Sequence, residues 1–508
     1  MSTLPASRAE SAGILIAPEA IGSLGVPPGT NATPVGTPWR TMQPDQGQIN
    51  NFYRNINTIA PSPISVERQQ LAPEIVGATA MPSLMMDLTS DLLQQVGEGM
   101  VLAKAAHTGG TATSYFEPTA RTTTAFTVPA NGALQAGTLL TGLGWLANPN
   151  GTLLVVGASS TGTSIPVTGG VAETVSGYLA TLQVAGFRGA SGDIQLDASG
   201  NLISTVADFT TMGLLPGMRI YVGGVPGTAF AFATAGYSGP AYIVTVAAHV
   251  ITLKYRAWTV ASADTGSGKT IDLYWGRWLR NVSTVNASYQ EQAYNIELSL
   301  SSINAGSPEY VYGQGQYVSS FDIDAPLGGL IKTTLNFLGT DVTDPATARA
   351  TGPSLAPVPL ATERFNSATK EPYVQFLIAA TEVSVASDIT SWKLSFSNGV
   401  TGQEQHGKVG PKRIIVGKVG CSLAVDLVVT QDDAMKACTA NTTIAFGALL
   451  RNGNGGVFID VPAGKFTAAV PKFPANNVVT ISPKLGAFIE PTLRYTLGLM
   501  VFPYLPAS

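Results

Sequence analysis

The residues that come nearest to a recognisable chemical motif are Ala263-Asp264-Thr265-Gly266-Ser267-Gly268-Lys269-Thr270. A phosphate cradle of the P-loop kind needs glycine at the first of these positions, so that backbone amides can wrap the phosphates, and a helix after the lysine. Here the first position is Ala263, and Ile271-Asp272-Leu273-Tyr274 reads as a strand. A related stretch at 172–182 carries Tyr178 at the lysine position. We therefore read 263–270 as a turn between strands. Gly313-Gln314-Gly315 lacks the third glycine and the helix of a dinucleotide motif, and is also read as a turn.

Other reactive side chains are sparse. Asp322 with Asp324, and Asp341 with Asp344, could be imagined as carboxylate pairs, but they fall in strand and loop patterns, where aspartates are mostly solvated. His406, in Gln403-Glu404-Gln405-His406-Gly407, could act as a base, yet no nucleophile elbow or nearby cysteine accompanies it. The chain holds three histidines, His107, His249 and His406, and two cysteines, Cys421 and Cys438, in no zinc spacing. Two buried thiols are expected rather than a disulfide framework. Asn31, Asn281, Asn286 and Asn441 match glycosylation acceptors, which matter only in a secreted chain. No catalytic, metal or cofactor site is expected.

The whole composition agrees with that poverty of chemistry. Only 12% of the 508 residues are charged and 45% are hydrophobic, with mean hydropathy +0.21. That is too apolar for a disordered chain. The net charge of −4 provides no basic footprint for phosphate backbones. Neither a signal peptide nor a run of 18 apolar residues is visible. A protein made and used in a cytoplasm, or assembled there into something larger, is expected.

The elements follow from periodicity. Residues 1–52 are rich in Pro, Gly, Thr and Ser and read as an extended N-terminal arm that orders only against a partner. Ile64, Val66 and Arg68 read as strand. Leu84, Leu88, Leu92, Leu93 and Val96 recur at helical spacing, which predicts a helix over about 83–97, with Gly97 and Gly99 marking its end. Between 121 and 281 charge thins and Gly, Thr and Val dominate. Leu139–Gly142 is echoed by Leu214–Gly217, and Ser164–Val167 by Val250–Leu253. Ala172, Thr174, Ser176, Gly177 and Leu182 are echoed 91 residues on by Ala263, Thr265, Ser267, Gly268 and Leu273. Two tandem β modules, 121–192 and 193–281, are expected. Paired strands are predicted around Pro326-Leu327-Gly328-Gly329, and 340–370 is read as a loop. A hairpin is predicted at Asn398-Gly399 after Trp392, Leu394 and Phe396, and a half-buried strand through Leu423, Val425, Leu427 and Val429. A short helix holds Asp432 and Asp433, with strands again at Val457–Val461, Val478–Ile481 and Leu493–Phe502.

Several segments in this order resemble the tail tube (major tail) proteins of long, non-contractile-tailed bacteriophages of the siphophage type. They are Pro61–Gln69, the helical Thr89–Gln95, Ser319–Gly339 with Asp324-Ala325-Pro326 and Leu335–Gly339, Trp392–Gly399 followed by Gly410-Pro411, Val457–Phe466, and Pro491–Pro503. The resemblance covers about 55–105 and 282–508. Some members also carry a module like Asp208–Trp275.

The resemblance implies a mainly β fold: a β-sandwich or barrel core with one flanking helix. The core would comprise 53–120 and 282–508, with the two modules inserted between them and the arm in front. It further implies rings, usually of six, stacked into the tail tube through which DNA leaves the virion. Partners would be the chain itself and the tape measure, tail terminator and tail tip proteins. DNA would pass without specific binding, and no membrane would be involved. The arm and the loop 340–370 are the candidates for ring-to-ring contacts. The rival expectations are another virion protein (tail-end ring, capsid or fibre) and a glycan-binding β protein.

Overall fold

The computed structural model describes residues 13–19, 39–62, 72–105, 115–116, 118, 120–128, 134–143, 145, 152–158, 160–167, 172–174, 181–304, 307–349, 354–355, 364–369, 373–379, 381–383, 388–407, 409–428, 433–453, 455–473 and 478–506. The chain is mainly β: among the described residues 51% are in strand and 6% in helix, with two helices. The predicted strand at Ile64–Arg68 and residues 350–353, 356–363 and 370 of the predicted loop 340–370 lie outside the described residues.

The core is organised by two long strands that each serve two neighbourhoods. The first half of Ser307–Ala325 pairs antiparallel with Tyr294–Asn304. Its second half lies between Lys332–Leu338 and Ile389–Ser397. Outward from Lys332–Leu338 come Ser83–Asp87 and then Pro44–Asn50. Outward from Ile389–Ser397 come Gly420–Val428 and Lys484–Ala487, which reaches the end of Gly456–Ala468. The start of Gly456–Ala468 turns into a second layer, between Gly498–Phe502 and Ile444–Arg451. Aromatic rings join the layers: Trp392 packs 5.7 Å from Phe446 and Phe376 lies 5.2 Å from Phe446. Inward residues alternate along the strands, as in Cys421, Leu423, Val425 and Leu427, which gives the sandwich a dry interior. Among the described strands the sheet does not close into a barrel.

Helix α1, Ser90–Val101, flanks this core. Its start differs from the periodic expectation because Ser83–Asp87 is a strand. Leu84 and Met86 point inward there by strand alternation, and Thr89 caps the helix by accepting the Leu92 N–H at 3.1 Å. Its end differs as well. Gly97 and Gly99 sit inside the helix, where a Cβ would stand 2.3 Å from Leu279 Cδ1 and 2.3 Å from the Tyr294 ring. They are glycines for close packing, not for termination. The second helix, α2, is Asp433–Thr439.

Three further expectations are corrected. Residues 13–18 do not wait for a partner: Gly13–Pro18 pairs with Tyr294–Asn304 and buries Ile14 and Ile16 in the core. Gly313-Gln314-Gly315 is not a turn but part of the long strand, and the ladder shifts register beside it. Gly315 has φ +58°, and its N–H donates to buried Glu19 Oε1 at 2.7 Å. Asn398-Gly399 is not a two-residue hairpin. Asn398 is buried, its Nδ2 donates to the carbonyls of Met100 and Val318, and the chain makes an excursion before Gly420–Val428 closes the pair.

The described residues of 115–274 form a further ten-stranded sheet and a small four-stranded one, the latter made by Ala120–Arg121, Ala125–Thr127, Ser164–Pro166 and Glu173–Thr174. The central strands of the ten-stranded sheet are Thr138–Leu143, Thr181–Arg188, Asp272–Tyr274, Arg219–Val222 and Gly239–Ala247, in that spatial order. Its apolar cluster continues into Leu449, Phe458, Tyr495 and Phe502 of the sandwich. Arg277 ties helix α1 to this junction, donating to Gln94 O and Glu98 Oε1.

Candidate assembly surface

Several of the candidate chemical residues are accounted for by local structure; His107 and Asn31 lie outside the described residues. In the P-loop-like segment, Asp264 Oδ1 accepts the Gly266 N–H and Oδ2 the Thr234 N–H, both at 2.9 Å. Lys269 Nζ donates to Thr228 O. A carboxylate therefore already occupies the place where amides would meet a phosphate, and strand Asp272–Tyr274 follows. Burial pushes the Asp264 carboxyl up, but the two amides and the nearby Lys269 outweigh it and hold the carboxyl below its usual value.

Three of the carboxylates thought of as pairs are engaged by cations. Asp322 lies in the long strand 3.5 Å from Lys393 Nζ. Asp341 and Asp344 both receive Arg54, at 3.0 and 3.3 Å. His406 is exposed in a turn, and His249 Nδ1 lies 3.0 Å from Ala207 O. Asn281 is buried and accepts the Thr496 and Leu497 amides, so its side chain is already committed. Both cysteines are free thiols. Among the described residues, no three His, Cys, Asp or Glu side chains gather as a metal-holding group.

What remains is an exposed two-stranded ribbon. Among the described residues Asn55–Ile59 pairs only with Glu74–Thr79, and every residue of Asn55–Ile59 is exposed. Two strands alone are marginal in water, and this pair shows apolar side chains: Ile56, Ile59 (61% exposed), Ile75 and Val76. At its root Tyr53 Oη donates to Asp344 at 3.0 Å beside the Arg54 ion pairs. A second short ribbon, Thr401–Gln403 with Arg413–Ile415, also stands apart from the main sheet and exposes Ile415. The two ribbons approach each other. A Cβ on Gly77 would lie 3.9 Å from Glu404 Oε1, and one on Gly410 3.4 Å from Ala78 O. Exposed β edges with apolar faces are surfaces for adding strands from another chain. The sequence pattern missed both ribbons: 55–59 alternates weakly, and 401–415 is polar.

The described residues thus make a β-sandwich core with two exposed ribbons beside it. Residues 223–484 match the family model for phage tail tube proteins, which is more than half of the chain. The chain belongs to that family and is a component of the virion tail. The match runs from the middle of the ten-stranded sheet to Lys484 and leaves helix α1 outside. No curated protein matches the chain. No described helix is long and apolar enough to cross a membrane.

Proposed function

We propose that this chain forms rings, six subunits to a ring, which stack into the tail tube of a siphophage and carry the genome through the lumen during ejection. The observation that carries the reading is the ribbon Asn55–Ile59/Glu74–Thr79, whose apolar residues have no partner among the described residues. A neighbouring subunit supplies that partner by strand addition. The net charge of −4 suits a conduit, because DNA that meets few cations is not held as it slides. In this reading 53–120 and 282–508 form the ring body, and 121–192 and 193–281 are modules on the outside, where added mass does not narrow the lumen. The tape measure, terminator and tail tip proteins meet the ends of the stack.

The test is negative-stain electron microscopy of purified protein beside the double variant Ile59→Lys, Ile75→Lys. Wild-type rings or hollow tubes, with folded but monomeric variant, support the proposal. Tubes of normal appearance from the variant would show that the ribbon is not the contact.

A further inference from the structure

The strands of 115–274 contain the same pairing plan twice, the first copy divided between the ten-stranded and the four-stranded sheet and the second lying in the ten-stranded sheet alone. Gly137 has φ +93° and Gly217 φ +95°. The Gly137 N–H donates to Val156 O at 2.8 Å and the Thr138 carbonyl accepts from Val156. In the same way the Gly217 N–H donates to Ile243 O at 2.9 Å and the Met218 carbonyl accepts from Ile243. Val156 faces Val167 as Ile243 faces Leu253. Phe126 faces Ile165 as Leu202 faces Ile251. Arg121 faces Glu173 as Leu196 faces Asp264. Gly142 faces Leu182 as Val222 faces Leu273. The side chains match in burial too, since Leu182 and Leu273 are both fully buried. The echoes at 164–167 and 172–182 thus stand at corresponding places. That at 139–142 does not, because Gly217 corresponds to Gly137.

The join between the copies is more informative than the copies. In the first, Tyr115–Phe116 enters the sheet with Phe116 opposite Leu182. In the second, the corresponding entry is Gly186-Phe187, with Phe187 opposite Leu273. These residues belong to Thr181–Arg188, the last strand of the first copy. One strand therefore ends one unit and begins the next. We infer that the first unit is a removable surface module: taking out one full period leaves the second unit with its own entry strand, and the tube-forming body does not need what is lost. Two ion pairs that seat the second unit use no residue of the deleted stretch. Arg219 pairs with Asp460, and Arg188 with Asp272. The contacts given up include Gln94–Gln183, Gln135 with Asp208 O and Thr211, and the backbone bonds from Trp275 N to Ala185 O and from Arg188 N to Gly137 O.

The experiment is a matched pair of deletions in the full chain. Deleting residues 115–185 joins Ser114 to Gly186 in phase. Deleting 145–215 removes an equal length out of phase, joining Gly144 to Pro216. The in-phase variant is expected to unfold in one cooperative transition with a midpoint within about 5 °C of wild type, and the out-of-phase variant to lose that transition. An in-phase variant that does not fold, or two variants that behave alike, would overturn the inference. The assembly clause rests on the proposed tube. Where the wild type forms tubes, the folded in-phase variant should form them with an unchanged ring repeat, and a folded variant that cannot assemble would overturn dispensability. A wild type that forms no tubes would count against the tube reading alone, because the folding arms decide the module.

Discussion

Arg219 Nη2 lies 2.7 Å from Asp460 Oδ1, with both side chains about 5% exposed. The pair joins Arg219–Val222 of the ten-stranded sheet to Gly456–Ala468 of the sandwich. Asp460 Oδ2 accepts the Tyr495 hydroxyl at 2.8 Å, and the guanidinium sits over the Phe458 ring. Breaking one half of such a pair strands a charge, whereas replacing both halves does not. Asp460→Ala should destabilise the protein by about 3–5 kcal/mol, and Arg219→Met with Asp460→Leu by clearly less. Urea unfolding of the single and double variants checks this, and equal losses would contradict it.

Gly97 faces Leu279 across a gap that has no room for a methyl group. Gly97→Ala gains helix propensity but overpacks the contact, and the packing term should win. The expected loss is about 1–3 kcal/mol. Pairing it with Leu279→Ala should restore part of the loss, which a double-mutant cycle by thermal unfolding would measure.

The Asp264 carboxyl is held below its ordinary value of 3.8 in the fold: burial pushes it up, and the Thr234 and Gly266 amides outweigh that. A carboxyl depressed in the folded state stabilises fully above its unfolded value. That contribution disappears as pH falls below about 4 and through the folded value. Asp264→Asn should be less stable than wild type at pH 7, and the difference should shrink toward pH 3. Melting temperatures at pH 7, 5, 4 and 3 test this. A gap that stays constant would assign the effect to packing.

Burial pushes the Cys421 thiol up to about 12, so very little thiolate exists at pH 8 and reagent has no access. Cys438 is partly exposed. Titration with a thiol reagent at pH 8 should modify Cys438 in the native protein and release Cys421 only on unfolding. The Cys438→Ser variant should therefore show no fast phase.

Some of this was readable from local order. Leu423, Val425 and Leu427 alternate because every second side chain of a strand faces the interior, and they do. The turn Pro326–Gly329 separates two strands that pair as expected. The departures from the P-loop pattern at 263–270 already pointed to a turn, and Asp264 shows what the amides hold instead. The repeat at 172–182 and 263–273 was present as sequence identity, since equivalent positions in equivalent pairings need the same small and apolar residues.

What depended on distant partners was not readable. Gly13–Pro18 is four buried residues in a polar, proline-rich context, and its place is decided by a strand beginning at Tyr294. Gly97 and Gly99 resemble helix terminators until Leu279 and Tyr294 are brought against them. Asn398 resembles a turn residue until Met100 and Val318 offer it carbonyls. The sequence alone determined the β character and the alternation of the strands, because period and composition act over a few residues. The tertiary structure decided which strands meet, which glycines are contacts, and that the ribbon of 55–59 with 74–79 has no further strand beside it among the described residues, because pairing depends on distant residues that no local pattern encodes.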